Sequence, residues 1–147
     1  MKTVKLSEVA VIGIKPQIGD IAVQRTGKKF FIVSKEDIDN PKKFVSYVFI
    51  HPIKISVDEM MALLPGILAF VPYEGKTIKS FSTKSLIDLQ IPDLSTESAF
   101  NKTLMSNKAK IDESDAALKT AQTNYDKAVE SSIAFVKAAL ADVNKEQ

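Results

Sequence analysis

The side chain best suited to acid–base chemistry in this sequence is its one histidine, His51. An imidazole can act as a general base, but catalysis also needs a nucleophile or a second acid within reach. The sequence shows no such constellation around His51, so we interpret this residue as structural. The chain has no cysteine, which excludes disulfides and cysteine-based metal sites, and one histidine cannot form a histidine cluster. We therefore expect no catalytic residue, no metal and no cofactor.

Two other stretches bear a weak likeness to chemical motifs. Gly75-Lys76-Thr77 ends like a phosphate-binding loop, but the upstream glycine spacing of that motif is missing and Pro72 interrupts it. The carboxylates of Glu36, Asp37 and Asp39 are close enough in sequence to suggest a cation site, although a solvated loop explains them better. The sequence thus predicts a protein that is not an enzyme.

A second kind of chemistry, contact with DNA, is suggested by basic and amide side chains in the predicted loops. Lysine and arginine can bind phosphates, while Arg, Asn and Gln can pair with base edges, for which we nominate Gln24, Arg25 and Asn40. Tyr73 can stack on a base or sugar, or instead pack at the edge of the body. The candidate DNA-binding residues are Gln24, Arg25, Lys28, Lys29, Lys35, Asn40, Lys42, Lys43, Tyr73, Lys76 and Lys79.

The distribution of charge permits a polyanionic partner without demanding one. The net charge is +2, and residues 1–94 carry 13 Lys and Arg against 10 Asp and Glu, whereas residues 95–147 carry 7 against 8. The first part is therefore mildly basic and the second nearly neutral. The alternative interpretation of the lysines is an ordinary solvated surface, since acidic residues are interspersed among them.

The elements that would position these side chains form an α+β body with antiparallel strands and short helices. Its predicted order is an entering segment over 4–14, strands over 21–23, 29–34 and 43–50, a polar loop over 35–42, helices over 57–64 and after Ser82, and an extended exit over 91–94. Gly27 supplies the hairpin turn between the first two strands. Pro65-Gly66 is expected to end the first of these helices, and the apolar run 67–71 is either a strand or a continuing helix.

The C-terminal part, residues 95–147, is predicted to be a long helix capped by Ser95 or Thr96, with Glu97 near its positive end. Apolar residues recur every seven positions at Leu104, Ile111, Leu118 and Tyr125, with a weaker second row three residues on. Such a seam packs against another helix, and we predict a coiled-coil dimer; the alternative is a helix that folds back on its own body. The predicted dimerisation residues are Phe100, Leu104, Ile111, Leu118, Ala121, Tyr125, Ala128 and Phe135.

Several short motifs occur in an order that resembles the specificity subunits of type I restriction-modification systems. They are the opening VKLSEVA, the Gly19-Asp20-Ile21 strand start, the helix VDEMMALL, the Gly75-Lys76-Thr77 loop, the Ser82-to-Leu86 helix and the exit Ile91-Pro92-Asp93-Leu94 before a long helix. The family usually has two recognition domains and two long helices, a longer segment where this chain has four residues between Ile14 and Gly19, and Gln where this chain has Glu97. The chain thus resembles a half-sized subunit, with residues 1–94 as its target-recognition domain.

This resemblance implies double-stranded DNA as a partner, a homodimer through the long helix, and methylation carried out by a methyltransferase subunit. An alternative is an assembly or regulatory protein that does not recognise DNA and uses the helix to engage a partner subunit. The absence of cysteine fits a cytoplasmic location. There is no apolar run that would span a membrane and no leader resembling a signal peptide, so no membrane partner is expected.

Overall fold

The computed structural model describes residues 1–26 and 29–145. They divide into two compact units, the first ending at Ser106 and the second beginning at Asn107. The strands are β1 (Thr3–Lys5), β2 (Ala10–Gly13), β3 (Ile21–Gln24), β4 (Phe30–Ile32), β5 (Tyr47–Pro52) and β6 (Gln90–Pro92). The helices are α1 (Leu6–Val9), α2 (Lys35–Ile38), α3 (Val57–Phe70), α4 (Thr83–Ile87) and α5 (Ser98–Lys145), with a 3-10 helix at Pro41–Phe44. The predicted α+β class is confirmed, and so is the long C-terminal helix.

A four-stranded antiparallel sheet forms the centre of the first unit, in the order β2-β5-β3-β4. Ile21 and Val23 of β3 and Val48 and Ile50 of β5 point to one face and are buried there. Alternation along the strands sends Ala22 and Phe49 to the opposite face, into a second apolar cluster. Both faces of the central strands are therefore covered, which explains why β3 and β5 are almost continuously apolar.

Helix α3 covers the main face of the sheet. Its N-terminus is a capping box: the Glu59 amide donates to Ser56 Oγ at 3.0 Å, and the Ser56 amide donates to Glu59 Oε1 at 3.0 Å. The predicted stop at Pro65-Gly66 is wrong, because α3 runs on to Phe70. Burial of Ile67 and Leu68 contributes about 3–6 kcal/mol together, which offsets the cost of about 3 kcal/mol for a proline inside a helix.

The segment between β4 and β5 differs most from its prediction. The predicted loop 35–42 instead contains α2 and, after two further residues, the start of the 3-10 helix. Helix α2 forms because Ser34 and Asp37 close a second capping box. The predicted strand 43–50 begins only at Tyr47. Phe44 is instead buried in the second cluster, edge-to-face with Phe49 at 5.1 Å, and Ser46 has a positive φ of 68°, which ends the turn before β5.

The two ends of the first unit are tied by a two-stranded sheet in which β1 pairs antiparallel with β6. Helix α5 then begins at Ser98, so the predicted caps are wrong. The hydroxyls of Ser95 and Thr96 donate to Asp93, at its Oδ1 (2.6 Å) and its carbonyl oxygen (3.2 Å), and do not cap the helix. None of the helices in the described part of the chain combines the length and the apolar character needed to cross a membrane.

Candidate nucleic-acid interface

Arg25, which directly follows β3, joins three chain segments at one end of the four-stranded sheet. Its amide donates to the Ser46 carbonyl at 2.8 Å, and its carbonyl accepts from the Phe81 amide at 3.2 Å. Its side-chain Nε also donates to the Phe81 carbonyl at 3.2 Å. The Gln24 amide donates to the Lys29 carbonyl at 2.9 Å, which brings both of these residues to the same end. We call this surface, formed by residues 24–26, 29, 45–47 and 74–81, the basic end.

The loop that carries Lys76 and Lys79 is a tight turn closed by backbone hydrogen bonds. The Glu74 amide donates to the Ser80 carbonyl at 2.9 Å, and the Ser80 amide donates to the Glu74 carbonyl at 3.0 Å. Gly75 has a φ of +131°, and a Cβ there would lie 2.2 Å from the Ile78 carbonyl oxygen. Only glycine fits this position. The turn therefore holds both lysines, which are exposed, on one short, fixed backbone.

Of the predicted DNA-binding residues, the structure brings Gln24, Arg25, Lys29, Lys76 and Lys79 to the basic end. The members of this group differ in how exposed they are and in whether their side chains bond to the chain itself. Arg25 is half-buried because its Nε bonds the chain itself, whereas the three lysines are exposed. Lysines held on a common surface by a rigid scaffold can bind phosphates in series.

Tyr73 lies at the base of the same loop but is packed into the body. Its hydroxyl donates to the Leu68 carbonyl at 3.1 Å, and its ring meets Phe81 edge-to-face at 5.8 Å. Burial raises the pKa of the Tyr73 phenol above its ordinary value. These contacts support the packing interpretation of Tyr73 over base stacking.

The other predicted DNA-binding residues lie elsewhere or serve another purpose. The Lys43 ammonium donates to Asp37 and lies 4.9 Å from the centre of the Phe31 ring. This hydrogen bond is the main reason that the pKa of the Asp37 carboxyl is lowered. Lys35 comes two residues after Val33, whose amide donates to the Asp20 carbonyl. Asp20 precedes β3 and Arg25 follows it, so Lys35 lies near the opposite end of β3 from Arg25. Asn40 and Lys42 are exposed around the 3-10 helix, and Lys28, like the predicted turn residue Gly27, falls outside the described residues.

His51 has a partner that the sequence did not reveal. Its Nδ1 lies 2.8 Å from Oδ1 of Asp20, a carboxylate that is only 4% exposed. The two residues are 31 positions apart and meet because β3 and β5 are neighbours. The Gly19-Asp20 turn before β3 is a sequence signal that Asp20 has a structural role. It does not specify which residue of the neighbouring strand Asp20 meets. Among the described residues, no group of three or more potential ligands forms a metal site.

The predicted dimerisation residues fall into two groups. Phe100 and Leu104 are partly buried against the core of the first unit, which is what the fold-back interpretation expects for the start of the helix. From Ile111 onward the predicted residues are exposed; Leu118 is 68% and Tyr125 66% exposed. The second unit thus consists of a helix with an apolar surface that its own chain leaves uncovered.

The apolar stripe of this unit departs from a strict seven-residue repeat. The heptad series would continue at Ser132 and Ala139, but large apolar residues are found at Val129, Ile133, Val136, Leu140 and Val143. Successive residues of a helix are rotated by about 100° about its axis. Measured in this way from Leu118, these five residues lie between about −20° and +60°, as do Ile111 and Tyr125. Phe135 lies about 100° away from Leu118 on the other side. We call the set Ile111, Leu118, Tyr125, Val129, Ile133, Val136, Leu140 and Val143 the helix stripe.

Comparison of this chain with protein-family models and with curated proteins finds no match.

Proposed function

We propose that this chain is a DNA-specificity protein of the type I restriction-modification class that works as a homodimer. The observation that carries the homodimer is the helix stripe, eight large apolar residues on one face of a helix that nothing in the described chain covers. A helix with a continuous apolar stripe is stable in water when that stripe packs against another helix. The resemblance of the sequence to the specificity subunits gives the class, and a methyltransferase subunit would supply the catalysis.

The order of residues in the stripe favours a second copy in antiparallel orientation as the partner. With a two-fold axis at residue 127, each layer contains at least one large side chain. The layers are Ile111 with Val143, Ser114 with Leu140, Leu118 with Val136, Ala121 with Ile133, and Tyr125 with Val129. A parallel pair in register would instead place serine on serine at 114 and alanine on alanine at 121. Alternation of large and small residues across facing positions fills a core without voids.

The change in repeat also suits this arrangement. Three successive steps of the layers, from Ala121 to Tyr125, to Val129 and to Ile133, are four residues long, where a heptad alternates three and four. In the antiparallel pair these irregular steps are centred on the two-fold axis, so each half of one helix keeps one regular frame. In heptad notation, Ile111, Leu118 and Tyr125 occupy a positions of the first half. They face d positions of the second half, at Val143, Val136 and Val129, which is the layer pattern of an antiparallel coiled coil.

Orientation can be measured with a spin label, because the chain has no native cysteine. Ala109 lies on the helix face opposite Leu118, so an Ala109→Cys label leaves the stripe intact. The antiparallel dimer predicts a label-to-label distance of about 50–60 Å, since the two copies of residue 109 are separated by 36 helical positions. A parallel dimer predicts less than about 30 Å. A short distance would overturn the antiparallel arrangement.

Support for a DNA partner comes from the basic end. Lys29, Lys76 and Lys79 are exposed on a surface whose backbone is fixed by hydrogen bonds through Arg25 and by the Gly75 turn. A dimer carries two such surfaces. The proposal predicts binding to random duplex DNA that weakens steeply with salt, because counterions are released from each contacted phosphate.

The test replaces Lys76 and Lys79 together by alanine. Loss of two phosphate contacts should lower the slope of log K against log salt by about 1.8 per chain. The matched control replaces Lys35 and Lys54, two exposed lysines outside the basic end, and should leave the slope unchanged. A folded dimer that binds no DNA, with and without a methyltransferase subunit, would refute the proposal.

That outcome would favour the second candidate, an assembly protein whose helix engages a partner subunit. One observation supports it: Arg25 and Lys43, two of the predicted DNA-binding residues, are engaged within the body, Arg25 with a carbonyl and Lys43 with Asp37. The same helix stripe serves either function. The DNA titration therefore decides between them.

A further inference from the structure

A concave site of about 320 Å³ lies between β2, β5 and the segment before β3, away from the basic end. His51 is near the last residue of β5, whereas Tyr47 at its first residue pairs with Gln24 at the basic end. The two surfaces are therefore at opposite ends of the same sheet. The lining residues are Val11, Gly13, Ile14, Lys15, Gln17, Asp20, Phe49 and His51.

Asp20 fixes the orientation of the His51 ring in this site. Its Oδ1 is 2.8 Å from His51 Nδ1, while its Oδ2 accepts from the Gln17 amide at 3.2 Å. Because a buried carboxylate accepts hydrogen bonds, Nδ1 must carry a proton, and Nε2 is left for another partner. The His51 side chain is 55% exposed, so this nitrogen can be reached from solvent.

Apart from Asp20 and His51, the lining is apolar except for Lys15 and Gln17. Val11 and Ile14 are exposed large apolar side chains in this region, and β2 is an edge strand. Gly13 adds no side chain, and a Cβ there would meet nothing within 4 Å. Lys15 supplies positive charge to the lining. A cation, an oriented imidazole and an apolar wall together suit a ligand that has both an anionic group and an apolar body.

We propose that this site binds a small organic anion with an apolar body, such as an aromatic carboxylate. The carboxylate would lie against the Lys15 ammonium, and the ring would cover Val11 and Ile14 beside the His51 imidazole. The site is independent of DNA binding and of the helix stripe, since none of its residues belongs to either surface.

The single histidine makes a direct test possible, because the His51 ring protons give the only imidazole signals of the chain. Benzoate is titrated into the protein and the His51 signals are followed by NMR. The site predicts saturable shifts with benzoate, smaller shifts with benzyl alcohol, which lacks the charge, and smaller shifts with inorganic phosphate, which lacks the apolar body. Equal responses to all three compounds, or no saturable response to benzoate, would overturn the proposal.

Substitution of Lys15 tests whether benzoate binds at this site or is only attracted by positive charge on the surface. Lys15→Ala keeps the Asp20–His51 pair, so the same NMR readout remains, and the Kd for benzoate should rise about three-fold to five-fold. Lys84→Ala removes an exposed lysine that is not part of this lining and should leave the Kd unchanged. An equal effect of the two substitutions would show non-specific attraction and would also overturn the proposal.

Discussion

Leu118 is the most informative position at which to test helix pairing. Full burial of a leucine side chain contributes about 1.5–3 kcal/mol, and 68% of Leu118 is exposed in the single chain. Truncation to alanine therefore removes about 1–2 kcal/mol of pairing free energy per chain, or about 2–4 kcal/mol per dimer. The dimer Kd should rise about 30-fold to 1,000-fold. Sedimentation equilibrium over a wide concentration range measures this change.

Phe135 provides a matched control on the same helix. It is also a large apolar residue and is 77% exposed, yet it lies outside the helix stripe. Phe135→Ala should change the Kd by less than about three-fold, in line with surface substitutions that cost below about 0.5 kcal/mol. Phe135→Ala removes more apolar side chain than Leu118→Ala, so a smaller effect at Phe135 reports the face of the helix and not its composition.

Two results would refute this reasoning. If Phe135→Ala weakens the dimer as strongly as Leu118→Ala, the contact follows the seven-residue series and not the helix stripe. If the unsubstituted chain is a monomer at all concentrations, the stripe does not pair with a second copy at all. Circular dichroism at each concentration would show whether the helix itself persists.

Three further predictions concern the stability of the body and can be measured by chemical or thermal unfolding. Gly75→Ala should destabilise it by about 1–3 kcal/mol, because the turn needs a positive φ and the new Cβ would meet a backbone oxygen. Ser56→Ala should cost about 1 kcal/mol through loss of the α3 cap. The hydrogen bond from Lys43 lowers the Asp37 pKa, so this carboxylate stabilises the fold above its ordinary titration range, and the contribution disappears as pH falls through the lowered value. Asp37→Asn should therefore flatten the loss of stability on acidification, and a pH dependence equal to that of the unsubstituted chain would contradict this.

Local patterns in the sequence predicted those elements whose stability is itself local. The β3 strand was predicted from Ile21-Ala22-Val23 after the Gly19-Asp20 turn, and α4 from Ser82, whose hydroxyl accepts from the Ser85 amide at 3.1 Å. The prediction failed where tertiary burial outweighs a local signal. Pro65 normally ends a helix, yet the face that continues through Ile67 and Leu68 is buried, and the helix continues with it.

The candidate site was less predictable because it depends on what surrounds each charged group. A lysine in a loop has the same local pattern whether it is free to meet a phosphate or paired. Lys43 is held by Asp37 and an aromatic ring, whereas Lys76 is exposed on a turn. The distinction arises from contacts made by the 35–44 segment, whose helical structure the sequence analysis had missed.

The helix stripe shows the same limit in a repeat pattern. Four apolar residues seven apart, ending at Tyr125, are sufficient to define a heptad, and extrapolation of that frame selects Phe135. The continuing large residues instead shift the frame by one position at Val129. A frame shift changes the local winding of a coiled coil in either orientation. The orientation is decided by the layers, because the antiparallel pair places Leu140 against Ser114 and Ile133 against Ala121, whereas the parallel pair leaves the small residues facing each other.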